Sequence, residues 1–200
     1  VAVSTRKHAV NNPHAFYYQQ PLTIEEHQRS RYIAAPLRLY DCCQETDGGT
    51  ACVITSPQRA RDLKQPAALI RGAAQAAGAD QESMTSFYRP DIAALPEMDL
   101  VAEQVYAQSG LGPDDIDAAV IYDAFTPIVL LQIESFGFCK VGEYKDFIKN
   151  GNLEVGGRLP SNTHGGQLSE AYIHGVNGVN GPARSSPAPP CFGSAPTAAR

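Results

Sequence analysis

Two hundred residues with 43% hydrophobic content, 18% charged residues and a net charge of −5 describe a soluble globular chain of one or two domains. No apolar run approaches the roughly 20 residues of a spanning helix, and the mild acidity without a clustered basic stripe argues against nucleic acid as a partner. The opening VAVSTRKHAV has no apolar core of a signal peptide, and the odd set of cysteines at 42, 43, 52, 139 and 191 lacks CxxC spacing. These features point to reduced thiols in the cytoplasm and to no metal site.

Along the chain, Asn11-Asn12-Pro13 marks a turn, and Thr23-Ile24-Glu25-Glu26 has the Thr-x-x-Glu spacing of a capping box that opens a short helix. Pro36 interrupts the chain beyond this helix. Leu37 to Cys43, a tight turn at Asp47-Gly48-Gly49 and the doubly apolar Thr50 to Thr55 read as an apolar segment, a turn and a buried strand. Ser56-Pro57 caps a helix to about Leu63. Ala67 to Arg71 reads as another strand before a loop-rich stretch to Met98.

From Asp99, a candidate N-cap, the spacing Leu100, Ala102, Val105, Tyr106 predicts a helix that Gly110 stops. Leu111 to Asp115 is a turn, Ile116 to Tyr122 a buried strand, and a helix begins at Thr126. This alternation marks an α/β sheet. A short helix is expected over Tyr144 to Lys149 inside a long connection to Arg158. Beyond Val179 the Ala, Pro, Ser and Arg-rich GPARSSPAPPCFGSAPTAAR has no apolar period and reads as disordered, as from a truncation or a shifted reading frame.

Chemistry-bearing groups concentrate in Leu159 to Gly175, LPSNTHGGQLSEAYIHG. Its Gly165-Gly166 pair permits a sharp turn and close backbone approach, while Asn162, His164, Gln167, Ser169, Glu170, Tyr172 and His174 can hydrogen-bond or move protons. A second segment, Ala119 to Gly137, ends an apolar run in Tyr122-Asp123. The two are expected to face each other across a cleft.

NNPHAFYYQQPLTIEE, APLRLYDCC and DGGTACVITS resemble the end of the first half of a thiolase, and SGLGPDDIDAAVIYDAF with SNTHGGQLSEAYIHG resembles the second half. The resemblance implies a layered α/β fold, part of the thiolase αβαβα arrangement, with residues 1–66 closing the N-terminal half, 67–178 forming the C-terminal half and 179–200 an atypical tail. It departs from the family at the reacting groups. Where thiolases carry Asn and His in the two motifs that build the thioester oxyanion hole, this sequence has Tyr122 and Tyr172, with Asp123 in place of the neighbouring Glu and Ile173 in place of Pro. The loop with the thiolase nucleophilic cysteine and the C-terminal Cys-Gly loop have no counterpart.

This double-tyrosine pattern resembles the lipid-transfer-protein, sterol carrier protein X-like branch of actinobacterial enzymes, which includes aldolases of steroid side-chain breakdown. The resemblance implies retro-aldol cleavage of a β-hydroxy acyl-CoA side chain, giving a steroid ketone and a short, propionyl-CoA-like thioester, with no bound cofactor beyond the coenzyme A of the substrate. Tyr122 and Tyr172 are the expected acid/base pair, with Asp123 and His164 orienting them. Gly165, Gly166 and Asn162 are expected near the thioester, with His174 either beside them or purely structural. The family further implies a homodimer and an OB-fold, zinc-ribbon partner subunit. A non-catalytic acyl-CoA or lipid carrier, an acyltransferase and an inactive fragment remain as alternatives.

Overall fold

The computed structural model describes residues 1–64, 67–79, 89–91 and 93–179. The expected disordered tail lies outside them from residue 180 onward. Helices come in the order α1 (Ala2–Ala9), α2 (Ile24–Arg29), α3 (Pro57–Ala60), α4 (Pro96–Ser109), α5 (Thr126–Ser135) and α6 (Tyr144–Phe147), with an antiparallel hairpin of β1 (Tyr32–Ala34) and β2 (Leu37–Arg38) between α2 and α3. Among these residues no helix is long and apolar enough to cross a membrane.

Local signals set most helix ends. Thr23 and Glu26 form the reciprocal capping box at α2, and Ser56 accepts the Arg59 N–H at α3. Helix α4 begins at Pro96, one turn before the expected Asp99, because proline is already held at a helical φ and lacks an N–H to satisfy. Asp99 instead lies in the first turn, where its charge suits the helix dipole. Gly110, at φ 70°, closes the helix as expected. Helices α5 and α6 form where the pattern places them. Helix α1 was not legible, since VAVSTRKHAV has no amphipathic period.

Three expected strands are corrected. Thr50 to Thr55 and Ala67 to Arg71 form no strand, and Val53 and Ile54 are 88% and 79% exposed. A strand apolar on both faces needs covering layers on both, and those layers are not among the described residues. Ile116 to Tyr122 is extended but reduces to one parallel bridge, Ala119 with Ser161. Asn162, at φ 53°, turns the chain away after that bridge. Its side chain then takes over the pairing: Oδ1 accepts the Ile121 N–H and Nδ2 donates to the Ile121 carbonyl, both at 2.8 Å.

The core lies under this extended segment. Ile121, Val129, Ile133 and Leu153 are buried together, with Phe138, Phe147 and Ile148 against them. Tyr106 of α4 donates to the Phe136 carbonyl at 2.7 Å and ties α4 to the end of α5. On the other side, α1 packs on Gly166–Glu170, a single wide π-type turn. Arg6, buried in α1, donates to Ser169 Oγ at 3.0 Å and stacks over Tyr17 at 3.4 Å. A buried guanidinium needs both donor and aromatic partners to offset its lost hydration.

Replacing Asn162 by Ala strands a buried N–H and C=O of Ile121. The expected loss is about 1–3 kcal/mol for each group, read as a lower urea midpoint at unchanged slope.

Candidate active site

The extended segment delivers Tyr122 and Asp123 side by side, one half-buried and one buried, as alternation along an extended chain requires. The stretch after the bridge supplies the opposing wall. Gly165 and Gly166 take φ 118° and 59°, a left-handed pair that starts the π-type turn. A Cβ on Gly165 would meet Ala9 at 2.9 Å, and one on Gly166 would overlap the Asp123 carboxylate. Both positions therefore exclude side chains by space as well as by backbone angle.

Asp123, only 1% exposed, accepts the Gln167 N–H at 2.8 Å and the Leu168 N–H at 3.4 Å. Burial pushes its pKa up to about 6, against those backbone donors, which pull it down. The two candidate segments thus meet through a carboxyl group and the free N–H groups of a turn.

Tyr122 and Tyr172 meet with their hydroxyl oxygens 2.8 Å apart. Tyr172 Oη is also 3.2 Å from His174 Nδ1, and the Tyr172 and His174 rings lie 4.6 Å apart. One consistent direction runs Tyr122 to Tyr172 to His174, each hydroxyl donating to the next acceptor. Desolvation, then the Tyr172 hydroxyl, raises the Tyr122 pKa far above the usual phenol value, so Tyr122 keeps its proton. His174 is exposed, at φ 48°, and the following Gly175 lies against the Tyr122 ring.

The other sequence candidates surround this pair without touching it. His164 is 1% exposed and its Nε2 lies 3.7 Å from Glu170 Oε2. Burial, with His8 nearby, lowers its pKa to about 4 and keeps the ring neutral. Asn162 commits its side chain to Ile121, so its geometry is that of a positioning residue.

Sequence reasoning missed the supports that come from far along the chain. Asn12 Nδ2 donates to the His164 carbonyl at 2.7 Å and to Glu170 Oε1 at 3.2 Å, where the sequence signalled only a turn. His8 Nδ1 lies 3.3 Å from the Asn162 carbonyl. The segment after β2 laces both walls: Cys43 N–H donates to the Ala124 carbonyl, Gln44 N–H to the Gln167 carbonyl, and Tyr172 N–H to Thr46 Oγ1. No local pattern in Cys43 to Thr46 signals this.

A paired-tyrosine site behind a glycine turn, built on a mixed helix and strand scaffold, is a thiolase-like arrangement in which the usual Asn and His are absent. Residues 76–179 match the family model described as Thiolase C-terminal domain-like, and the chain belongs to that family. The steroid side-chain-cleaving aldolase of Thermomonospora curvata is 64% identical over 179 residues, covering 90% of this chain and 46% of the relative. The 17-hydroxy-3-oxo-4-pregnene-20-carboxyl-CoA lyase of Mycobacterium tuberculosis is 62% identical with the same coverage. A solved structure, titled Ltp2-ChsH2(DUF35) aldolase, superposes with a TM-score of 0.89 at 63% identity over 92% of this chain and 48% of that one. These matches bear out the thiolase-like α/β fold and the branch expected from the sequence. The chain spans about half the length of the relatives it matches.

The two buried groups shift stability in opposite directions. His164 has a lowered folded pKa, so its contribution is full above its ordinary value of 6.5 and is lost as pH falls from there toward 4. Asp123 has a raised folded pKa, so its penalty is absent below its ordinary 3.8 and full above about 6. Each is worth on the order of 3 kcal/mol. Melting temperature should therefore rise from pH 4 to 6.5 in Asp123→Asn. It should rise less, or fall, over the same interval in His164→Gln, where His8, also lowered by burial, remains to oppose Asp123.

Proposed function

We propose that this chain carries half of the active site of a retro-aldolase that cleaves the β-hydroxy acyl-CoA side chain of a steroid into a steroid ketone and a short, propionyl-CoA-like thioester. The observation that carries the proposal is the 2.8 Å contact between Tyr122 and Tyr172, continued to His174. The reaction needs a base for the β-hydroxyl proton and a donor for the enolate formed as the Cα–Cβ bond breaks.

Tyr172 takes the substrate hydroxyl proton as its own passes to His174 Nδ1. The electrons of the O–H bond form the ketone, and those of the C–C bond move to the thioester enolate. Tyr122, which holds its proton, stabilises the enolate as a donor. Returning a proton to Cα completes the acyl-CoA product. Asp123 and His164 orient the two walls, and Gly165 and Gly166, lacking side chains, let the turn close on Ala9 and the Asp123 carboxylate next to the thioester. The coenzyme A belongs to the substrate, and no resident cofactor enters this scheme. The shared identity with proteins named as a steroid aldolase and a carboxyl-CoA lyase supports the substrate class.

Residues 1–66 and 67–178 belong to the two halves of a thiolase-type fold, a reading supported by the half-length coverage of the relatives. The solved relative's two-component title supports a partner subunit, and the family resemblance gives that subunit an OB-fold and a zinc ribbon. The enzyme works as a homodimer in the cytoplasm.

The test is acyl-CoA release from a β-hydroxy steroid thioester, with and without that partner. Tyr122→Phe and Tyr172→Phe should each lose about 10²–10⁴-fold in cleavage while still binding the thioester. Cleavage unchanged in both variants eliminates the acid/base assignment, and wild-type binding without cleavage under either condition favours a carrier.

A further inference from the structure

Tyr172 stands on a short loop that leaves the glycine turn and doubles back sharply. Ala171 departs in extended conformation, at φ −166°, and His174 and Gly175 then take φ 48° and 81°. Val176 N–H donates to the Ile173 carbonyl at 3.1 Å, and Gly178 N–H to the Gly175 carbonyl at 3.0 Å. The returning limb lies on the other tyrosine, since a Cβ on Gly175 would come within 3.2 Å of Tyr122 Cδ2. A left-handed histidine is sterically unfavourable, so the reversal persists only where its surroundings fix it.

Asn177 closes this loop. It is 7% exposed, and its Nδ2 donates to Glu170 Oε2 at 2.8 Å and to the Ala171 carbonyl at 3.0 Å. One side chain thus ties the loop's exit to its entrance across Tyr172, Ile173 and His174. A carboxylate and a carbonyl can only accept, so the carboxamide has a single usable orientation, with its NH₂ group toward them. Glu170 is held in turn, because its Oε1 accepts from Asn12 Nδ2 at 3.2 Å. On the loop's outer face Tyr172 N–H donates to Thr46 Oγ1 at 3.2 Å, and a Cβ on Gly48 would lie 2.9 Å from Ile173 Cδ1. Those outer contacts hold the face of the loop; the Asn177 carboxamide joins its two ends.

We propose that Asn177 is a positioning residue for the tyrosine pair. By closing the loop it sets how far Tyr172 reaches, which brings its hydroxyl to 2.8 Å from that of Tyr122 and its ring beside His174. Its carboxamide bonds Glu170 and Ala171, so it acts through the loop and not on the reacting atoms. The consequence for cleavage rests on the reading under Proposed function, whereas the geometry does not.

Ring-proton NOEs in isotope-labelled chain follow the geometry without substrate, with Tyr122→Phe and Tyr172→Phe to assign the signals. Wild type should show Tyr122–Tyr172 and Tyr172–His174 cross-peaks, from rings 6.5 and 4.6 Å apart. Asn177→Ala removes the donor, and Asn177→Asp keeps the volume but sets a second carboxylate against Glu170; both should lose the Tyr122–Tyr172 cross-peaks. In the aldolase assay both should lose about 10²-fold in kcat with KM within about twofold, as misplacement of a reacting group does. Unchanged Tyr122–Tyr172 cross-peaks in a folded variant overturn the proposal. If neither variant folds, the wild type decides: Asn177 side-chain amide protons protected from exchange support the proposal, and protons exchanging as fast as those of exposed amides overturn it. Lost cross-peaks with cleavage unchanged support the role of Asn177 and fault the acid/base assignment instead, so the two failures are separable.

Discussion

The site depends on one buried contact, the Asp123 carboxylate against the N–H groups of Gln167 and Leu168. It joins two segments more than forty residues apart, and it forms only because Gly166 has no Cβ to occupy the carboxylate's place. A turn begun by two left-handed glycines aims its N–H groups inward, and an acidic side chain at the end of an extended segment accepts them. The tyrosine pair sits on either side of this joint. Tyr122 is held by its neighbour Asp123, and Tyr172 leaves the turn two residues after Glu170.

The supports around the joint come from the beginning of the described chain. Helix α1 and the turn after it contribute Arg6 to Ser169, His8 to the Asn162 carbonyl and Asn12 to His164 and Glu170. Backbone N–H groups of Phe16 and Tyr17 bond the carbonyls of Glu170 and Ser169. The wall that carries Tyr172 is thus fastened from outside by residues with no part in the proposed chemistry. Each wall has a wetter and a drier part: Tyr122 and Tyr172 are half-buried, while Asp123, His164 and Gln167 are shut away. That separation lets a carboxyl sit near neutrality beside a phenol that keeps its proton.

The apolar segment Thr50 to Thr55 marks the edge of what this chain can build. Its Val53 and Ile54 are exposed and find no covering layer among the described residues, and a strand apolar on both faces needs one on each. Strands are also sparse among the described residues, as expected where few strand neighbours are present to pair with. The half-length coverage of its relatives agrees with that picture.

Sequence alone determined the helix starts at Thr23, Ser56 and Thr126, the Gly110 stop and the two segments that carry the chemistry, because caps, prolines and glycine turns act over a few residues. It also identified Tyr122 and Tyr172 as the unusual pair, through their places in recognisable motifs. Only the tertiary structure decided that these hydroxyls meet, that Asn162 replaces a lost ladder with its side chain, and that Asp123 is buried against the N–H groups of Gln167 and Leu168. Those outcomes depend on which backbone groups become buried together across more than a hundred residues, and no local pattern of residue types encodes the distance between two walls.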